Sequence, residues 1–328
     1  MIKKIFYYLI FISIAAGIAY GCYIYWQHEK NYPNTDDAYI QAHVINVAPR
    51  ISGMVSKLYI SDHQQVKAGQ PLFDIDNEVF TIALQKAKAD LDQTKQQVNA
   101  AESAVKAAES VLNQRKAELT NVRKNTARIV ALAKKRVASV SQRDKAMSDL
   151  EVAKSAVSAS ESQLKEAQQK LGQLGGDNAS IRVAQAAIAN AELNLRYTHV
   201  VAPANGHIVN LNLRVGDQVN AYQQVFAIIE SAHWWATANF KETELERIRM
   251  NQPAIIKVDM YPHHIFKGII TSISSGSGSS FALLPPENAT GNWVKVTQRF
   301  PVRIDIINPD PKFPLRMGSS CEVTINTL

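Results

Sequence analysis

The chain has 328 residues, 46% of them hydrophobic, and a formal net charge of +7. That length suits two or three domains, and Lys and Arg are spread along it with no basic run interleaved with aromatics, which argues against a nucleic-acid partner. The two cysteines, Cys22 and Cys321, lie near opposite ends, which argues against a disulfide framework and against a thiolate metal site.

Residues 1–4 contain Lys3 and Lys4, and residues 5–26 follow without a single charge. As a helix this run is about 33 Å long, against a hydrocarbon core of ~30 Å, so it reads as a transmembrane anchor. The two lysines favour a cytoplasmic N-terminus, and Tyr20, Tyr23, Tyr25 and Trp26 form an interfacial belt at the far end. Two other readings compete and fit less well. A cleaved signal peptide has a shorter apolar core and a small-residue cleavage site. A lipoprotein site at Cys22 is opposed by the apolar sequence that continues beyond it. Residues 27–38 read as a linker with Asp36 and Asp37 in solvent. No second apolar run is long enough to span, so the rest is expected on the far side of the membrane.

Residues 47–76 and 201–230 resemble each other at an offset of 153. Gly53 matches Gly206, Val55 matches Ile208, Val66 matches Val219, and Phe73 matches Phe226. Both stretches read as short strands separated by turn residues. Neither can bury a core alone, so residues 39–77 and 198–230 are expected to close one small sandwich together.

Between them, residues 72–171 contain no glycine and no proline. Leu84, Leu91, Val98, Val105, Leu112 and Leu119 recur every seven residues, and Leu150, Val157, Leu164 and Leu171 keep the same period in a second arm. A sustained seven-residue apolar repeat is a coiled-coil seam. Leu174, Ile181, Ile188 and Leu195 resume the period in a shifted phase that coincides with "GQLGGDN" at 172–178, which predicts a break there. Residues 78–136 and 139–197 give two arms of equal length, antiparallel for about 90 Å, with the turn at Val137 and Ala138. Ser139 and Gln142 have capping-box spacing, and Lys134, Lys135 and Arg136 suit the negative end of the first helix. The hairpin therefore spans 78–197. Most of it reads as a solvated spacer; its tip reads as a presenting surface.

Residues 231–328 form the last domain. Strand-like alternation surrounds residues 257–259 and 268–273, with a short helical piece expected at 242–250. Trp234 and Trp235 are expected to cover the junction between sandwich and this domain, with ligand stacking as the lesser alternative. His263 and His264 are neighbours after Pro262 and face opposite ways on a strand, which suits a surface turn better than a metal. Asn288 begins a glycosylation-like triplet without a setting that would use it. No catalytic constellation, nucleotide loop or nucleophile elbow is present, so the chain reads as no enzyme, with no cofactor and no metal.

These features together resemble the periplasmic adaptors, or membrane fusion proteins, of the HlyD family, and most closely the EmrA-type multidrug efflux adaptors. "NTDDAYIQAHVINVAPRISGMV" (34–55) and "GSGSSFALLPPENATGNWVKVTQRFPVRI" (276–304) carry the likeness, which covers nearly the whole chain. The resemblance implies an elongated α+β multidomain fold: an N-terminal transmembrane helix, a lipoyl-like β-sandwich (barrel-sandwich hybrid) split by a long antiparallel α-helical hairpin, and a C-terminal β-barrel. It also implies a homo-oligomer in the inner membrane of a Gram-negative bacterium, with its bulk in the periplasm. The implied partners are a proton-driven inner-membrane transporter of the major facilitator type and a TolC-like outer-membrane channel. Adaptors that dock such channels carry an Arg, a Leu four residues later and a Ser seven beyond that. Arg128, Leu132 and Ser139 have this spacing, so Arg128 would hydrogen-bond the channel, Leu132 would pack at the junction, and Ser139 would cap its helix and touch the channel.

Three rival functions remain to be weighed. A lipoyl or biotinyl carrier needs a lysine at an exposed turn, and the corresponding "FDIDNEVF" (73–80) has none. An adaptor for type I protein secretion keeps the fold but not the EmrA-like stretch at 276–304. A structural envelope tether gives no reason for the Arg–Leu–Ser spacing. Neither the exported compounds, the copy number, nor drug binding by the adaptor itself is legible in the sequence.

Overall fold

The computed structural model describes residues 2–173, 175–278 and 296–328, with residues 2–15 as backbone alone. It divides into two compact units, one of Met1–Asp74 with Val200–Leu328 and one of Ile75–His199.

The first unit begins with helix α1 (Ile2–Asn31). The anchor expected at 5–26 falls within it. Among the described residues no helix is long and apolar enough to cross a membrane; residues 5–15 of the expected span lie outside the described side chains. Strand β1 (Asn34–Val47) follows almost at once. The linker expected to reach residue 38 is therefore shorter, and the solvated reading of Asp37 is corrected. Its carboxylate lies 3.1 Å from Arg299 Nη1 and accepts a hydrogen bond from Asn239 Nδ2 at 3.1 Å. Thr35 beside it is buried and donates to the Asn239 carbonyl.

The short strands β2 (Gly53–Leu58), β3 (Gln65–Val66), β4 (Pro71–Ile75), β5 (His199–Val201), β6 (Gly206–Val209) and β7 (Gln218–Val219) build the sandwich with the first part of β8 (Phe226–Lys241). The two sequence repeats do not fold side by side; they interlock. Gly53 pairs with Val219 and, 153 residues on, Gly206 pairs with Val66. The same exchange recurs in the loops. The Gly69 amide donates to the Ala202 carbonyl and the Tyr222 amide to the Pro49 carbonyl; the Val55 amide donates to Asp217 and the Ile208 amide to Gln64. Each half supplies the partners that the other half lacks, so neither has satisfied strands alone. The matched Phe73 and Phe226 meet edge-on in the core with ring centroids 6.1 Å apart. Gly206 is required by a close approach, because a Cβ there would stand 2.2 Å from the Ile229 carbonyl oxygen. The pseudo-symmetry also places Tyr222, with φ 62°, where the other half has Gly69, with φ 80°. A bulky residue in that region is strained, and the fixed amide contact to Pro49 holds it there.

β9 (Pro253–Val258), β10 (Ile265–Ile273), β11 (Arg299–Ile306) and β12 (Ser320–Ile325) complete a closed antiparallel barrel in the order β1-β12-β9-β10-β11-β8, with β8 pairing back to β1. Residues 231–328 therefore do not close the barrel alone; closure needs residues 34–42 of β1 between β12 and β8. β9 alternates exposed and buried residues strictly, as a barrel wall does. Ile40, Phe240, Ile256, Ile270, Ile304 and Val323 fill the interior. The helical piece expected at 242–250 is a series of turns instead, closed by bonds such as Ile248 N–H to the Leu245 carbonyl at 3.3 Å. It seals the barrel end by burying Ile248, which turns can do without a helix.

The second unit is the hairpin. α2 (Glu78–Lys134) is 57 residues, about 85 Å at 1.5 Å per residue. It packs against α3 (Val140–Leu171) and α4 (Ala179–Tyr197). The seven-residue positions line the contact, yet few of them are fully covered. Leu112, Val157 and Leu171 are buried, while Leu84, Leu91, Val98 and Val105 are half-buried. A two-helix seam has no third layer to cover it. The break falls within 172–178. Gly172 leaves α3 with φ 70°. Buried Asn178 spans the interruption: its Nδ2 donates to the Leu171 carbonyl at 2.7 Å, and its Oδ1 accepts from the Ser180 amide at 3.0 Å, capping α4. Leu174, the expected first residue of the shifted phase, lies outside the described residues.

Candidate functional site

The hairpin tip is built from two helix ends that stop without glycine or proline. At the end of α2, Arg136 takes φ 61°. Its amide donates to the Ala133 carbonyl at 3.0 Å, and the Val137 amide donates to the Leu132 carbonyl at 3.0 Å. These are the two bonds of a Schellman cap, with an arginine where glycine is usual. The residues at the two positions that commonly form its apolar pair are Leu132 and Val137. Five residues after Lys134, Ser139 starts the return helix. Its Oγ accepts from the Gln142 amide at 3.2 Å, and the Ser139 amide donates to Gln142 Oε1 at 2.9 Å, a complete capping box.

The caps define what the tip exposes. Leu132 is 39% exposed, Val137 73% and Val140 66%. Single exposed apolar residues are ordinary, but three within nine residues at one helix turn form a contact surface in miniature. Arg128 lies one helical turn before Leu132, on the same face. It is exposed, and among the described residues its guanidinium has no hydrogen bond or ion pair. Arg128 and Leu132 thus share one face of α2, and Ser139 lies just across the turn. Ser139 Oγ accepts one bond in the cap, and its hydroxyl retains a donor and a second lone pair for another group.

Below the tip the helices are pinned by Thr126, which is only 5% exposed. Its Oγ1 lies 2.9 Å from the Val122 carbonyl of its own helix and 3.0 Å from the Ala146 carbonyl of the facing one. The signal was present in the sequence, since Thr126 stands seven residues after Leu119. A polar residue at a seam position fixes register. The left-handed Arg136 carried no such signal, because its residue type does not favour that conformation.

The other singled-out residues are not drawn into a catalytic arrangement. Trp235 donates to Gln41 Oε1 at 3.0 Å, and the Arg303 guanidinium lies 4.0 Å from its ring centroid. Trp234 turns the other way and is buried. His264 lies in the turn after β9, stacked on Phe313 at 4.0 Å between ring centroids, while His263 is exposed. Among the described residues no group of three or more His, Cys, Asp or Glu is placed to hold a metal. The Cys321 thiol is buried in the barrel with its pKa pushed up to about 12, chiefly by burial and then by Asp259, which leaves it unreactive.

Residues 43–231 match the family described as "RND MFP, barrel-sandwich hybrid domain", and residues 233–326 match an AAEA-like beta-barrel domain. The chain belongs to the membrane fusion proteins, the periplasmic adaptors. Over 93% of its length it is 31% identical to the multidrug export protein EmrA of Escherichia coli, of which it covers 79%. It is 35% identical, over 89% of its length and 75% of the relative's, to the fatty acid resistance protein FarA of Neisseria gonorrhoeae. The crystal structure of MacA from Actinobacillus actinomycetemcomitans shares the fold, with a TM-score of 0.55 at 19% identity over 89% of this chain and 79% of that one. Within the family the chain is one of the EmrA-type multidrug efflux adaptors. Adaptors of this kind link an inner-membrane transporter to an outer-membrane channel, and they are structural rather than enzymatic.

Proposed function

We propose that this adaptor joins a proton-driven transporter of the major facilitator type to a TolC-like channel, exporting drugs across a Gram-negative envelope. The observation that carries the reading is the tip: an Arg128 unpaired among the described residues and an exposed Leu132 on a helix end fixed by a Schellman cap, next to a boxed Ser139. In this reading Arg128 donates to acceptors at the mouth of the channel. Leu132, with Val137 and Val140, packs at the junction, and Ser139 both caps and contacts. Residues 5–26 anchor the chain in the inner membrane with the N-terminus in the cytoplasm. Several copies stand side by side, since one two-helix hairpin cannot enclose a passage. The energy comes from the transporter; the adaptor supplies reach and a docking surface.

A photo-crosslinking residue at position 132, used in living cells, tests this. Capture of an outer-membrane channel is the expected result. Capture of other copies of the same chain alone would move the channel contact elsewhere and favour a self-assembling tether.

A further inference from the structure

A cleft within the first unit, distant in sequence from the hairpin tip, has the chemistry of a ligand site. It lies where sandwich and barrel residues meet and encloses about 370 Å³, within the ~300–1,000 Å³ range of small-molecule sites. Ile229, Trp234, Leu315 and Met317 form its apolar wall. The indole N–H of Trp234 is already used, donating to the Ser231 carbonyl at 3.1 Å, so its ring serves as surface. The polar groups at the rim are His63, His207 and Arg316. Among the described residues no carboxylate belongs to the lining, and Asp62 stands just outside it beside His63.

Other clefts of the same unit lack that selectivity. The one beside the end of α1 mixes Glu29, Glu244 and Glu246 with Lys30, Lys241 and Arg247. Its neighbour includes Glu29, Asp36 and Glu322, and the one beside β7 includes Asp217. At the edge of the sandwich–barrel cleft Asp62 stands 3.4 Å from His63 Nε2, which leaves His63 the weaker donor. His207 and Arg316 are exposed, and among the described residues their side chains have no hydrogen bond or ion pair. The wall is also held in place before any ligand arrives. Tyr261 donates its hydroxyl to the Pro314 carbonyl at 2.9 Å and meets Phe313 edge-on, and the Gly318 amide donates to the Ile40 carbonyl at 2.8 Å. A preformed apolar cavity costs little ordering on binding.

We infer that this cleft binds an amphipathic organic anion: an apolar body against Trp234, Leu315 and Met317, with one carboxylate or sulfonate held by Arg316 and His207. A planar guanidinium can hold a carboxylate through two parallel hydrogen bonds, and a partly enclosed site strengthens them. The assignment deepens the efflux reading and rests on it for its purpose, since it gives the adaptor its own contact with cargo; the binding itself is independent of any partner.

The test uses the full chain in membrane vesicles and a photoactivatable probe, 4-(trifluoromethyl-diazirinyl)benzoate, with its uncharged methyl ester as control. After irradiation the labelled peptides are mapped by mass spectrometry. The acid is expected to label peptides containing His207, Trp234 or Leu315, and the ester to label them far less. Arg316→Glu combined with His207→Glu should cut labelling by about tenfold or more, since both proposed donors are lost and two negative charges face the anion. Both residues are exposed, so the fold should persist, and an unchanged far-ultraviolet spectrum checks it. Equal labelling by acid and ester, or labelling unchanged in the double variant, would overturn the anion assignment. Label spread without enrichment at these peptides would overturn the site. Crosslinking from position 132 reports separately on the channel contact, so either idea can fail while the other stands.

Discussion

The interlocked sandwich and the helical hairpin reach order by opposite routes. In the sandwich, strands of each repeat pair with strands of the other, Gly53 with Val219 and Gly206 with Val66, and Phe73 and Phe226 are buried almost completely. In the hairpin most seam residues stay half-exposed, and the stabilising elements are local: seven-residue spacing, two caps, one buried threonine. The sandwich depends on every contact at once. The hairpin can lose a contact and keep its shape, provided its backbone ladder is intact. A tip on such an arm can be altered chemically at little cost to the fold.

Substitutions can break or sharpen that contrast. The largest loss is expected in the sandwich: Phe226→Ala should cost about 3–5 kcal/mol by leaving a cavity across from Phe73, measured by denaturant unfolding followed through the near-ultraviolet signal. In the hairpin Val105→Pro removes a backbone bond and clashes with the turn before it, at ~3 kcal/mol or more. Helicity should fall while the near-ultraviolet signal persists; loss of both together would mean that the two units fold as one. Ser139→Ala should cost only about 1 kcal/mol, the worth of an N-cap, read as a small fall in melting temperature. Leu132→Asp should change stability by no more than ~0.5 kcal/mol, as an exposed substitution does. Yet it should abolish drug export in a resistance assay, and normal resistance would remove the tip from the mechanism. The smallest effect concerns Cys321. Its raised pKa keeps the thiol protonated below about pH 12, so iodoacetamide at pH 8 should leave it unmodified until the barrel unfolds. Alkylation in the native state would show that the barrel opens locally.

Much of this protein was legible because its patterns are periodic. The seven-residue spacing from Leu84 to Leu119 needs only helix geometry to predict a seam. The Ser139–Gln142 box needs only a local hydrogen-bond pattern. The matched pairs Gly53–Gly206 and Phe73–Phe226 announced a duplicated half-domain. The phase shift at 172–178 marked the interruption, though not the role of Asn178 in spanning it.

What stayed hidden depends on contacts between residues remote in the chain. Asp37 looked like a linker residue because nothing near it in sequence reveals Arg299 and Asn239. β1 belongs to the barrel because closure needs a strand between β8 and β12, a demand that no local window contains. The segment 242–250 closes as successive turns and still buries Ile248 in the barrel, a packing that no local window announces. Tyr222 and Arg136 adopt left-handed conformations against their own preference, since fixed backbone hydrogen bonds on either side outweigh it. Local periodicity and capping chemistry thus determined the helices, the repeat and the place of the tip. The interlocking of the halves, the closing strand and the sandwich–barrel cleft were decided only in the tertiary structure, where strands and side chains from remote parts of the chain supply one another's partners.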